Sequence, residues 1–409
     1  MFMENRYDKY KDSGIEWIGE IPEHWKVKKG KNLFKKEERP VRDNDEIVTC
    51  FRDGEVTLRS NRRIDGFTNA MKEVGYQGVR RGDLVIHNMD AFAGAIGVSD
   101  SDGKSTPVYS VCTPKNNVEA NVYYYAYLLR SYALGGVIQS LAKGIRERST
   151  DFRYKEFGDL YYQQPPIEEQ QSIASYLDQK CGEIDKLITL QEEMITKLQS
   201  YKQSVITEAV TKGLDKNVPL KDSGIEWIGE IPEHWSVVKI KYLAKIKSGD
   251  SISSNEIMQE GIYEVYGGNG LMGFCNKKNV DGVNIIIGRV GALCGNVRLI
   301  SESKFITDNA LILNCFDNAL YSYMYIMLKA ANLNNLNTSN AQPLITGSKV
   351  LNVSLPIPPL SEQQSIADYL DQKCSEIDEL ISIKQQKIEK LKDYKKSLIF
   401  ECVTGKRKV

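Results

Sequence analysis

The sequence predicts an α+β protein of two globular domains, each followed by a long helix, the two helices pairing as an antiparallel coiled coil under a pseudo-two-fold internal repeat. Three observations predict it. A fifteen-residue segment occurs twice without a change, a second segment recurs at a different spacing, and each copy of the second opens a long run with apolar residues at helical period. A chain of 409 residues also exceeds what one ordinary hydrophobic core supports, so two or more domains are expected.

The first element is the repeated segment itself. Residues 11–25 read KDSGIEWIGEIPEHW, and residues 221–235 repeat them in full, 210 positions later. The second segment, PPIEEQQSIASYLDQKCGEIDKLI at 165–188, returns as PPLSEQQSIADYLDQKCSEIDELI at 358–381, 193 positions later. The insert between the segments is therefore longer by 17 residues in the first half. One scaffold carries two unlike inserts, whereas a short-period solenoid would show many equal repeats. The expected divisions are 1–164, a first long helix over 165–214, a second domain over 215–357 and a second long helix over 358–409.

In the first helix Leu177, Ile184, Leu187, Met194, Leu198, Tyr201 and Val205 form an apolar stripe, widened by Ile188 and Ile195. Leu370, Ile377, Leu380, Leu391, Tyr394 and Leu398 hold the matching places in the second. Pro-Pro pairs precede both helices, and Glu168, Glu169 and Glu362 suit the positive end of a helix dipole. No proline or glycine interrupts residues 361–404, whereas the first helix contains Gly182. At about 1.5 Å per residue such a helix reaches roughly 60 Å. A single stripe must be covered, and the nearest equivalent surface is the other helix; packing on the helix's own domain or on a partner protein is the alternative. Because a folded domain separates the helices, their pairing is antiparallel and each insert emerges at an opposite end. Lys384 and Lys387 fall where Gln191 and Met194 fall in the first helix, so the coil is expected to be imperfect there.

Within the inserts, residues 84–96 (LVIHNMDAFAGAI) and 285–297 (IIIGRVGALCGNV) align as a β-rich core with a tight turn, placing His87 and Asn88 opposite Gly288 and Arg289. The tyrosines at 123–127 and 321–325 sit among leucines and methionines at helical spacing and are expected to pack in the core.

Composition narrows the class. With 26% charged and 41% hydrophobic residues the chain has the balance of a soluble folded protein, and no apolar run is long enough to cross a bilayer. The N-terminus lacks the apolar core of a signal peptide, so a cytoplasmic location without a membrane partner is expected. Eight scattered cysteines without a Cys-x-x-Cys pair, beside three histidines, argue against a zinc site or a disulfide framework. The net charge is zero, yet Lys and Arg outnumber Asp and Glu by 23 to 18 over residues 26–164 and by 11 to 8 over residues 236–357. Two basic inserts on an acidic framework fit two nucleic-acid-facing modules joined by a part that binds something else.

The segment KDSGIEWIGEIPEHW before each insert, and PPxxEQQxIAxYLD after it, resemble the specificity subunits of type I restriction-modification systems, and the resemblance spans essentially the whole chain. It implies that each insert is a target-recognition domain reading one half of a bipartite double-stranded DNA target, and that the repeated helices form the central coiled coil. It further implies that two methyltransferase subunits dock on that coil, with two restriction–translocase subunits where a system has them. S-adenosylmethionine and ATP would serve those partners, and this chain would carry no cofactor, no metal and no catalytic residue. A coiled-coil scaffold that binds only proteins is the rival reading. The repeated Trp17, Trp25, Trp227 and Trp235 are too regular to contact unlike half-sites. They are expected to pack each domain onto the helix ends, the N-terminal copy against the C-terminal helix, closing a pseudo-two-fold ring.

Under this resemblance the strand ends at 84–96 and 285–297 approach DNA, which makes His87, Asn88 and Arg289 contact residues. Arg289 could bind guanine bidentately or hold a phosphate, or form a surface salt bridge. The stretch at 266–273, with Tyr266, Gly268 and Asn269, is a turn whose small residues let backbone approach a phosphate, or a plain hairpin. Arg59, Arg62 and Arg63, and then Arg146, Arg148 and Arg153, are phosphate clamps or solvated charge runs. Asn340 and Gln342 could pair with adenine edges, or their loop only turns the chain.

Two near-motifs fail. Residues 97–105 (GVSDSDGKS) have five residues instead of four before Gly-Lys, and no helix signal follows, so they are no P-loop. Residues 90–97 (DAFAGAIG) resemble a methyl-donor loop, but the Asn/Asp-Pro-Pro-Tyr/Phe motif of an adenine methyltransferase is missing. No Ser-His-Asp order or metal cluster supports catalysis.

Overall fold

Each insert folds around a four-stranded antiparallel sheet whose central strand is buried on both faces. The computed structural model describes residues 6–62, 74–140, 151–291, 293–337 and 343–409. They divide into two units, Met1–Gln191 with Gln386–Val409, and Glu192–Gln385.

In the first unit the strands β1 (Phe34–Lys36), β2 (Leu84–His87), β3 (Ile96–Val98) and β4 (Tyr109–Pro114) lie in the order β1-β4-β2-β3, all antiparallel. Side chains alternate along a strand. Leu84 and Ile86 therefore join Tyr124, Tyr125, Leu128 and Leu129 of helix α1 (Val122–Leu134), while Val85 faces a second layer holding Val48, Cys50 and Val56. A strand covered on both sides needs an unbroken apolar run, and Leu84-Val85-Ile86 supplies it. Helix α2 (Ile167–Lys212) follows the insert, and its residues up to Gln191 belong to this unit.

The second unit repeats the plan. Strands β5 (Ala244–Ser248), β6 (Asn284–Gly288), β7 (Val297–Ile300) and β8 (Ala310–Cys315) lie in the order β5-β8-β6-β7. Ile285 and Ile287 pack with Tyr323, Met324 and Met327 of helix α3 (Tyr321–Ala330), and Ile286 faces Val280, Ile306 and Ile312. Helix α4 (Leu360–Val403) follows, contributing to this unit as far as Gln385. Tyr124, Tyr125 and Tyr323 are buried, as helical spacing predicts, whereas Tyr123 is half exposed.

The repeated segments build equivalent necks. Hairpins Tyr10–Asp12 with Glu20–Pro22, and Leu220–Asp222 with Glu230–Pro232, have the same register. Lys26–Lys29 pairs with Tyr161–Gln164, as Ser236–Lys239 pairs with Ser354–Ile357, so each insert is tied where it begins and ends. Trp25 and Trp235 are buried, and each hairpin meets a helix end. The Tyr10 hydroxyl donates to Gly405 O at 3.0 Å and the Tyr124 hydroxyl to Val403 O at 3.0 Å, which places the N-terminal hairpin on the end of α4. In the second unit Trp235 closes on Gly213, just past the end of α2. Both glycines have left-handed backbone, φ +74° at Gly405 and +75° at Gly213, and a side chain at Gly405 would come within 2.4 Å of the Pro22 ring. Trp17 and Trp227 behave differently and stay 41% and 40% exposed; Trp17 stands edge-on to Tyr132 at 4.8 Å.

The helix segments in each unit run antiparallel. Lys395 Nζ meets Asp185 at 2.7 Å in the first unit, and Lys202 Nζ meets Asp378 at 2.6 Å in the second. In the first unit the covered positions are Leu177, Cys181, Ile184, Ile188 and Gln191 on α2, with Ile388, Leu391, Leu398 and Cys402 on α4. In the second they are Leu198, Val205 and Ala209 on α2, with Leu370, Cys374, Ile377 and Ile381 on α4. These steps are four, three or their sum, seven. They correct the expected stripe: Leu187 and Leu380, equivalent in the repeat, are 45% and 46% exposed. One residue turns an α-helix by about 100°, so a neighbour of Ile188 or Ile381 points away from the seam. Met194 and Lys387 are likewise exposed, whereas Gln191 is buried and Lys384 half-buried. The side-chain oxygen of Gln191 finds no partner among the described residues, so the imperfection lies there.

Candidate nucleic-acid interface

The ends of β2 and β6 are held by the same backbone bonds. His87 N donates to Ala95 O at 3.0 Å and Gly288 N to Asn296 O at 2.9 Å. One residue on, Asn88 N donates to Val108 O and Arg289 N to Asn309 O. Their carbonyls accept from Phe152 N and Ile345 N in turn. The pairing of His87-Asn88 with Gly288-Arg289 thus has a physical basis, and on this common frame the side chains differ.

In the first head His87 follows the alternation of Val85 and lines a groove of about 760 Å³ with Arg52, Arg59, Arg62, Asp90 and Tyr109. Arg62 lies 4.3 Å over the Phe51 ring and donates to Glu55 at 3.0 Å, with Asp53 at 2.5 Å. Arg59 Nε donates to the Thr49 hydroxyl at 3.2 Å. Burial pushes the Tyr109 hydroxyl above its usual range, so it stays a neutral donor and acceptor. Asn88 turns inward: it is buried, and its Oδ1 accepts from the Ser110 hydroxyl at 2.9 Å, which occupies it in the core. Arg153 stands apart from this groove, exposed at the start of helix Tyr154–Asp159 and donating to Asp151 at 2.6 Å. Arg63, Arg146 and Arg148 lie outside the described residues.

The second head brings Tyr266, Gly268, Asn269 and Arg289 together. A Cβ at Gly288 would lie 2.5 Å from Gly268 O, and one at Gly268 would lie 2.7 Å from Asn309 O, so the turn at 267–270 occupies the place that His87 fills in the first head. Arg298 Nη2 donates to Asn269 O at 2.9 Å and anchors the turn. Arg289 Nη1 is 3.4 Å from the Ser248 hydroxyl, and its buried Nε has no partner among the described residues. Tyr266 is half-buried, with Lys304 Nζ 5.5 Å from its ring centre. Asn340 and Gln342 lie outside the described residues.

Sequence reasoning missed Phe51, Arg52, Tyr109 and Arg298, because only the fold carries them to the strand ends. It also missed the second role of the Glu-Gln-Gln motif. Glu169 accepts from Trp25 Nε1 at 2.8 Å and His24 Nε2 at 2.6 Å; Glu362 accepts from Trp235 Nε1 at 2.9 Å and His234 Nε2 at 2.7 Å. Gln170 and Gln363, both buried, bridge the necks: each oxygen accepts from the backbone of Asn121 or Leu320, and each amide donates to the carbonyl of Pro165 or Pro358. The recurrence of both motifs, in the same order in each half, was the available signal. Among the described residues no His, Cys, Asp and Glu group could hold a metal, and no helix is long and apolar enough to cross a membrane.

Residues 232–393 match the family model of the type I restriction modification DNA specificity domain. Over 96% of both chains the protein is 27% identical to the putative type I restriction enzyme MjaX specificity subunit of Methanocaldococcus jannaschii. It is 33% identical to the type I restriction enzyme EcoprrI specificity subunit of Escherichia coli over 32% of this chain and 33% of that one. Its fold is shared, at 17% identity and a TM-score of 0.75, with a chain from a structure of complex assembly and conformational transition in the type I R-M system, covering 94% of this chain and 98% of that one. The HsdS subunit from Thermoanaerobacter tengcongensis matches over the same shares with a TM-score of 0.56 at 17% identity. A relative along the whole length, a family model across the second half and a common fold agree in likening the chain to the specificity subunits of type I restriction-modification systems.

Proposed function

We propose that this chain reads a bipartite target in double-stranded DNA, one half-site per head, and docks two methyltransferase subunits on the α2–α4 pair, with restriction subunits joining the same assembly. One observation carries the reading: two heads share a backbone frame down to single hydrogen bonds, yet present different side chains from it. Such a frame keeps geometry constant while recognition varies, and half-site spacing follows from protein spacing. In the first head Arg59, Arg62 and His87 supply the contacts, with Arg153 beside a phosphate; in the second, Tyr266, Gly268, Asn269 and Arg289 do. Arg63, Arg146, Arg148, Asn340 and Gln342 stay in the proposal on sequence grounds alone. Asn88 acts from inside, holding the strand end. Methyl transfer from S-adenosylmethionine and ATP-driven cleavage belong to the partners.

The experiment is reconstitution with the methyltransferase subunits, followed by mapping of methylated adenines. A motif of two short half-sites across a fixed gap is expected, and a single uninterrupted motif would overturn the reading. Exchanging residues 26–164 for the insert of another family member should replace one half-site and leave the other.

A further inference from the structure

We propose that His87 reads the first half-site as a hydrogen-bond donor of fixed tautomer, offering Nε2–H to an acceptor on a base edge. This deepens the DNA-reading role proposed above and rests on it.

The ring is set from three sides. Nδ1 accepts from Asp90 N at 3.0 Å, a donor it shares with the His87 carbonyl at 3.1 Å, so that nitrogen spends its lone pair inside the turn and carries no proton. Tyr109 stands edge-on to the ring at 4.6 Å and fixes its plane. Asp90, whose Oδ2 lies 3.5 Å from Nδ1, would favour an imidazolium, but Arg52 Nη2 donates to its Oδ1 at 2.8 Å and draws that charge away. Burial further lowers the basicity of the ring, with Asp90 opposing and Arg52 assisting. The neutral Nε2–H form results. Nε2, across the ring from Nδ1, meets no partner among the described residues, and the groove shared with Arg59 and Arg62 is the open side of this side chain.

A donor that cannot become an acceptor selects its ligand. In the major groove guanine N7 and O6, adenine N7 and thymine O4 accept, whereas the cytosine N4 amine only donates. His87 therefore favours an edge with an acceptor and excludes cytosine at that point. The second head cannot repeat the contact, because its equivalent is Gly288 and the Gly268 carbonyl fills the space.

The test uses the complex with methyltransferase subunits as wild type, His87→Asn and His87→Gln. Asparagine places an acceptor where Nδ1 stood, keeping the bond from Asp90 N, but removes the groove donor. Glutamine reaches the Nε2 position with an amide N–H. His87→Asn should weaken binding to the target about tenfold, the scale of one hydrogen bond, and relax a single base pair of the half-site that insert exchange assigns to the first head. His87→Gln should keep that base pair. An unchanged motif and affinity in His87→Asn, equal losses in both variants, or a loss spread evenly over all sequences would each overturn the inference. A wild-type motif without two half-sites would instead sink the reading beneath it.

Discussion

At the foot of each head one carboxylate does two jobs. Glu169 and Glu362 sit in the first turn of a long helix, where the dipole favours a negative charge, and each also holds the indole N–H of a buried tryptophan. Replacing Glu169 by alanine leaves the Trp25 donor buried and unpaired, which should cost about 1–3 kcal/mol; denaturant unfolding measures it, and Glu362→Ala should cost no more, because Glu169 also accepts from the Tyr7 hydroxyl at 3.1 Å. At Arg62 the guanidinium is already stacked on Phe51, so little side-chain freedom remains to be lost on meeting a phosphate. Arg62→Ala should weaken DNA binding across sequences and reduce the salt slope by about one. His87 makes a pH prediction. Its basicity in the fold lies below the ordinary value of 6.5, so under that pH the unfolded chain takes up a proton that the folded chain refuses. Stability should fall on acidification through this range, and by less in His87→Asn; equal acid sensitivity of the two proteins in unfolding titrations would contradict the fixed neutral ring.

Within the helices, the seam decides which apolar residues matter. Leu187 and Leu380 look equivalent to Ile184 and Ile377 in composition, but lie on the outer side of the covered stripe. Serine at 187 or 380 should change the stability of the isolated chain by no more than about 0.5 kcal/mol, whereas Ile184→Ala or Ile377→Ala should cost about 2–5 kcal/mol. The ion pairs Lys395–Asp185 and Lys202–Asp378 involve exposed carboxylates and add about 0.2–1 kcal/mol each. Their value lies in register: both pairs oppose a wrong alignment, which a nearly continuous apolar stripe alone would tolerate. Gly405 closes its helix in a left-handed turn against Pro22, and Gly405→Ala should destabilise the first unit more than Gly213→Ala does the second, since the nearest neighbour is 2.4 Å away in one and 3.2 Å in the other.

For the molecule as a whole, duplication separates two tasks. The hairpin register, the glutamate and glutamine bonds at the helix start and the Lys–Asp pair of the seam recur, while the strand ends and their neighbouring loops diverge. One heptad inserted into each long helix lengthens the pair by about 10 Å, or roughly three base pairs. On the two-half-site reading proposed above, methylome mapping of that variant in the complete system should show a wider gap between unchanged half-sites; altered half-site sequences would refute a gap set by helix length.

The α+β architecture, the two-fold repeat, the long helices and the frame match of His87-Asn88 with Gly288-Arg289 were legible in the order of residues, because identical framework segments impose identical local geometry and a doubly covered strand must be apolar throughout. The seam was not. A stripe wide enough to include both Leu187 and Ile188 does not say which of them is covered; the facing helix decides that. Nor could the sequence separate an Asn88 that serves the core from a His87 that lines the groove, since alternation alone assigns faces without saying which face is filled. Those assignments follow from packing against residues far away in the chain, among them Ser110 and Tyr109, and such contacts exist only once the fold has closed.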